Sequence, residues 1–186
     1  MKRLLLFSLL LVSAADAADL RSVSVVKEGP VYVMSSEVWF DASIEQVYAV
    51  MLDWDLSTEF SSVIVESRNL EPDDQGRPQY YSRTEACVLF FCMSAERSGV
   101  VEYERYDFIR STVYPDKSDF HVSDERWTFR EEDGGTVVVY DLAFHPKFFV
   151  PPVIGPWAIK RQLRKGGGDA IQRIEAIAQA TVINDG

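Results

Sequence analysis

The sequence predicts an α+β domain in which a curved, seven-stranded antiparallel sheet wraps one long C-terminal helix. Three observations carry that expectation. Strand-like segments separated by turn-forming loops fill the middle of the chain, a short amphipathic helical stretch follows the first of them, and a long helical pattern closes the sequence. The predicted order is β-α-α-β-β-β-β-β-β-α.

The segment from Val31 to Asp41 is β-branched and aromatic, which suits a strand. Ser43 can cap a helix with Gln46 completing a capping box, and Val47, Val50, Met51 and Trp54 recur at helical spacing. Asp53 to Phe60 predicts a second short helix or turn, and strand character resumes from Val63 to Leu70. The loops Glu71 to Pro78, Pro115 to Asp119 and Glu131 to Gly135 are rich in turn residues. They punctuate predicted strands at about 79–88, 92–103, 108–114, 120–130 and 136–145. After an apolar, proline-rich stretch from Pro146 to Pro156, a helix is predicted from Trp157 to about Ala180, with Ile171, Ile174, Ile177 and Ala178 as its buried stripe. Gly166, Gly167 and Gly168 each weaken it by ~1 kcal/mol and are expected to interrupt it, as a hinge or as a kink.

The N-terminus reads as an address. Lys2 and Arg3 precede a short apolar run from Leu4 to Val12 and the small-residue pattern Ala15-Asp16-Ala17. These are the charged, apolar and cleavage regions of a secretory leader, and the apolar run is well short of the roughly 20 residues a spanning helix needs. The expectation is a signal peptide at 1–17, a single ligand-binding domain at 18–186, and an exported protein, in a periplasm or the extracellular medium. With 19 Lys and Arg against 29 Asp and Glu, the formal charge is −10. An acidic surface repels phosphate backbones, so nucleic acid is excluded as a partner class.

Several strings carry a family resemblance in their order and spacing. They are Val38-Trp39-Phe40-Asp41-Ala42-Ser43-Ile44-Glu45-Gln46-Val47-Tyr48, then Asp53-Trp54 and Phe60, then Glu125-Arg126-Trp127-Thr128-Phe129, and finally the strand and helix from Thr136 to Ala178. Over essentially the whole of 18–186 the chain resembles the START-like helix-grip (SRPBCC) superfamily, in particular its coenzyme Q-binding and polyketide cyclase/dehydrase branch. The resemblance implies a helix-grip fold and a hydrophobic pocket for a lipid, quinone, sterol or polyketide, with no bound cofactor. The leader and a cysteine pair depart from the pattern of many relatives.

That pair is Cys87 and Cys92. Along one extended strand their α-carbons would stand about 17 Å apart, far beyond the roughly 4.4–6.8 Å of a disulfide. A bridge therefore requires that Val88, Leu89, Phe90 and Phe91 turn a hairpin, and an oxidising compartment favours it. Two buried thiols or a metal pair are the alternatives. Only His121 and His145 could complete a metal site, at a spacing that matches no zinc pattern, so no metal is assigned. An apolar hairpin tip needs a cover: the pocket mouth, the terminal helix, a membrane or partner, or the domain's own core. Phe90 and Phe91, with Phe148, Phe149 and Trp157 ahead of the basic run Lys160 to Lys165, are the candidates for a gate or membrane lip.

Strand alternation supplies the pocket candidates. If Trp127 and Phe129 face the concave side, Glu125 and His121 share it, and Tyr140, Leu142 and Phe144 form the matching set on the next strand. Tyr81, Arg83 and Glu85 share a face, where Arg83 could pair with Glu85 or Glu125. A one-residue slip inverts any of these assignments. Three functions follow. One is an exported carrier of a hydrophobic small molecule or lipid, monomeric and touching membranes transiently. Another is a cyclase or dehydratase using His121, Glu125 and Tyr140 on a polyketide-like or isoprenoid substrate. The third is an envelope interaction module. No nucleophile motif or phosphate loop is present, so no catalytic residue is assigned.

Overall fold

The computed structural model describes residues 18–88, 91–149 and 155–183. Phe90 and the predicted leader lie outside these residues, as do the side chains of Phe91 and Trp157. Among the described residues the strands are β1 (Asp19–Glu28), β2 (Val31–Phe40), β3 (Ile64–Leu70), β4 (Gln79–Val88), β5 (Phe91–Glu104), β6 (Phe108–Val113), β7 (Phe120–Glu132) and β8 (Gly135–Pro146). The helices are α1 (Ile44–Leu52), a 3-10 turn at Trp54–Leu56, α2 (Ser57–Phe60), a second 3-10 turn at Pro115–Lys117 and α3 (Gly155–Ala180). The strands form one antiparallel sheet in the order β1-β2-β8-β7-β6-β5-β4-β3.

The α+β class, the curved sheet and the terminal helix are those the sequence predicts, with one correction: eight strands rather than seven. The additional strand, β1, is a mostly exposed edge built from Asp-Leu-Arg-Ser-Val-Ser-Val-Val-Lys-Glu. Its few apolar residues give little signal, and what makes it a strand is its hairpin with β2 across Gly29, whose φ of 59° favours glycine. A second correction concerns α3, which runs through Gly166 to Gly168 as one continuous helix.

The capping box forms as predicted. Ser43 Oγ accepts from the Gln46 amide, and Gln46 Oε1 accepts from the Ser43 amide. From there α1 and α2 carry the chain from β2 to β3 at the opposite edge of the sheet, and hairpins lead back strand by strand to β8. At the β7–β8 turn Asp133 and Gly134 both have positive φ, the geometry of a tight hairpin turn.

Helix α3 packs against β1, β2, α1 and α2. Its C-terminal half is tied to the corner between β2 and α1. Glu175 accepts from the Asp41 amide at 2.8 Å, and Gln179 donates to the Asp41 carbonyl at 2.7 Å. Gln46 in turn donates to the Thr181 carbonyl at 3.1 Å.

Curvature requires strands to pass closely, and Gly99 marks one such pass. A Cβ there would stand 2.0 Å from the Thr112 carbonyl oxygen and 2.8 Å from the Val113 α-carbon, both backbone atoms of β6. Neither can move without moving the sheet. Gly99→Ala is therefore expected to destabilise the protein by ~1–3 kcal/mol, read as a lower denaturant midpoint. An unchanged midpoint would contradict the close pass.

Candidate functional site

Strand pairing settles which side chains share the inner face. Phe129 pairs with Val138, Trp127 with Tyr140, Glu125 with Leu142 and Ser123 with Phe144. Phe129 and Val138 belong to the main buried cluster, so their same-face neighbours along β7 and β8 point inward with them. Six sequence-predicted residues thus come together: Glu125, Trp127, Phe129, Tyr140, Leu142 and Phe144.

Four do not. A bulge between Phe120 and Val122 inserts one residue into β7, so Phe120 and Ser123 are both buried and His121 turns outward, exposed. There its ring meets that of His145, centroid to centroid at 4.7 Å. On β4 the inward set is Tyr80, Ser82, Thr84 and Ala86, because Tyr80 is fully buried against Trp54. Tyr81, Arg83 and Glu85 are therefore on the outer face. Arg83 does pair with Glu85, but there, together with Glu66, while Arg68 lies over the Tyr81 ring. The set His121, Glu125 and Tyr140 is consequently split between two faces of the sheet. Cys87 and Cys92 pair across the β4–β5 hairpin and form a disulfide, with α-carbons 4.0 Å apart. They too are on the outer face.

The true partner of Glu125 is Arg97 on β5, an ion pair that sequence reading missed. Glu125 is 2 % exposed and the Arg97 side chain 14 %. Ser111 on the intervening β6 donates to the second Glu125 oxygen at 3.4 Å. Around this pair lie Tyr80, Ser82 and Ser123, each buried, and each with a hydroxyl that has no partner among the described residues. Together Ser82, Arg97, Ser111, Ser123 and Glu125 form a polar belt across the inner face of β4 to β7.

Aromatic side chains flank the belt on both sides. On one, Tyr80 stacks on Trp54 at 3.9 Å, Trp54 meets Trp127 edge-on at 6.1 Å, and Trp127 stacks on Tyr140 at 5.1 Å. On the other, Phe120 meets Phe144 and Phe148 at 6.1 and 5.8 Å, and Phe144 stacks on Tyr32. Phe148, a predicted gate residue, is thus packed into this second cluster, whereas Phe149 is 75 % exposed.

The electrostatics of the belt favour donors. Arg97 presents a fork of N–H groups, of which Glu125 uses only part. Burial pushes the Tyr140 phenol up to about 12 against the opposing pull of Arg97, and burial raises Tyr80 in the same way. Both phenols stay protonated at neutral pH and can donate. Such an array suits an oxygen acceptor, a carbonyl or hydroxyl, on a molecule that is otherwise apolar.

Two outcomes test this geometry. Glu125→Ala strands a largely buried guanidinium and is expected to cost ~3 kcal/mol, whereas the double change Arg97→Met with Glu125→Leu costs far less. Equal losses in denaturant unfolding would refute the pairing. At alkaline pH, an unfolded-chain tyrosine ionises near 10, while burial holds Tyr48 and Tyr140 to about 12. The unfolded chain therefore loses its protons first, and stability falls as pH rises between those values. Ultraviolet titration should show the late-ionising phenols, one fewer in Tyr140→Phe.

A family model described as polyketide cyclase / dehydrase and lipid transport matches residues 33–175. Among solved structures, the chain is similar to a STAR-related lipid transfer protein from Xanthomonas axonopodis, with a TM-score of 0.62 at 16% identity, over 88% of this chain and 99% of that one. It is also similar to a START superfamily protein from Mycobacterium smegmatis, with a TM-score of 0.60 at 19% identity, over 80% and 99% of the two chains. The Zhui aromatase/cyclase from Streptomyces sp. R1128 gives 0.60 at 12% identity, over 84% and 98%. At these identities the likeness concerns the fold. No curated protein matches the sequence.

Proposed function

From the premise that the chain belongs to the polyketide cyclase / dehydrase and lipid transport family, we propose that it is an exported carrier of a hydrophobic small molecule or lipid. The observation that carries this reading is the polar belt between two aromatic clusters, with the hydroxyls of Tyr80, Ser82 and Ser123 unpartnered among the described residues. Polar groups buried without partners cost free energy, and a ligand oxygen placed among them recovers the missing hydrogen bonds. The aromatic walls then take the apolar body of the ligand. A long amphiphile with one polar group, such as an acyl lipid, quinone or sterol, matches that distribution.

The leader-like sequence at 1–17 supports an envelope location, and the Cys87–Cys92 bridge is consistent with an oxidising compartment. The exposed Phe149 supports a transient contact with a lipid surface beside the second cluster.

Native mass spectrometry of the protein recovered from its own compartment is expected to show an added mass that organic extraction releases as a hydrophobic molecule. Ser82→Ala with Ser123→Ala should weaken retention of that molecule roughly tenfold while leaving the fold intact. Recovery without extractable ligand, together with no binding of acyl, quinone or sterol probes, would overturn the carrier reading.

A further inference from the structure

We infer that the buried carboxylate of Glu175 is the seat of the α-ammonium group created when the leader is cut away after Ala17. Glu175 stands on the buried stripe of α3, four residues after Ile171 and three before Ala178, and is 8 % exposed. Its Oε1 accepts from the Ala18 nitrogen at 3.1 Å, and its Oε2 accepts from the Asp41 amide at 2.8 Å. Among the described residues no Lys, Arg or His side chain pairs with it, so two backbone amides satisfy its hydrogen bonds without supplying a positive charge. A carboxylate taken out of water in that state carries a desolvation cost that a cation would offset.

The position of Ala18 supplies the cation. It directly follows Ala15-Asp16-Ala17, the small-residue pattern at which the sequence predicts cleavage. A leader peptidase adds water across the Ala17–Ala18 bond. Ala17 leaves with the new carboxylate, and Ala18 keeps the nitrogen as an ammonium group. One hydrogen-bond donor thereby becomes three and gains a full charge at an atom already within reach of Glu175. Ala18 and Leu20 pack against the core, so this atom is held at the end of β1 beside α3. Processing then fastens three things at one carboxylate: the edge strand β1, the corner at Asp41 and the helix that covers the sheet. The mature protein is tighter than its precursor for that reason.

This inference rests on the export reading, and the two fail separately. Residues 18–186 contain every described element, and three forms are compared by thermal unfolding: a free amine on Ala18, an acetylated Ala18, and a chain that retains Ala17. The free-amine form is expected to melt about 3 °C or more above the other two, and Glu175→Gln should abolish the difference. Should Glu175→Gln fail to fold, the three termini on the unaltered sequence decide, with slowed hydrogen exchange of the Asp41 amide in the free-amine form alone as the second readout. Coincident melting of the three forms overturns the inference, as does a difference that survives in Glu175→Gln. Intact mass of the protein from its own compartment reads the cut itself. A cut at another bond overturns Ala18 as the new terminus, whatever the melting order.

Discussion

Holding a largely buried guanidinium against a buried carboxylate in the middle of a sheet constrains everything around them. Arg97 and Glu125 lie on β5 and β7, with Ser111 of β6 between them donating a hydrogen bond to the second oxygen. The pair closes only if β5, β6 and β7 hold their observed register, because a slip of one residue in any of them turns a member of the set to solvent. Replacing such a pair with apolar residues is often neutral or stabilising in proteins. Its presence here is therefore best explained by what it specifies: the register of the central strands and a polar band across an otherwise apolar face.

That band divides the interior. Along β5, β6, β7 and β8 the inner residues pass from the second aromatic cluster through the belt or its neighbours to the main core: Ala95, Arg97 and Val101; Val113, Ser111 and Ile109; Phe120, Glu125 and Phe129; Phe144, Tyr140 and Val138. The C-terminal half of α3 packs on the main core through Ile171, Ile174 and Ala178, and the Glu175 and Gln179 contacts with Asp41 fix its angle to the sheet. Rigid support at one end and an amphipathic inner face along the strands follow from the same alternation of residues.

Much of this was legible in the sequence because loops and caps are local. The capping box at Ser43, the turns at 71–78 and 131–135 and the strands between them depend on neighbours a few residues away. The inward faces of β7 and β8 were legible because bulky apolar residues alternate there. On β4, Tyr80 and Tyr81 offered two aromatic choices, and the deciding signal was charge: the set containing Tyr81 holds Arg83 and Glu85, whereas Tyr80, Ser82, Thr84 and Ala86 carry none. His121 was lost to a bulge that alternation cannot foresee. Arg97 was invisible because its partner is reached only across β6. Glu175 was within reach, since a carboxylate on an isoleucine stripe demands an explanation.

The strand order has a temporal consequence. The path from β3, at one edge of the sheet, inward to β8 consists of hairpins, which join neighbours in sequence, but β2 pairs with β8, so Tyr32 meets Phe144 across more than half the chain. A chain emerging from its N-terminus first can assemble β3 to β7 progressively, while the β1–β2 hairpin has no place to dock until β8 exists. The oldest part of the protein is thus the last to find its seat, and until then the apolar residues Tyr32, Met34, Val38 and Phe40 have no sheet to cover them. Whatever accompanies the nascent chain must shield that segment longest.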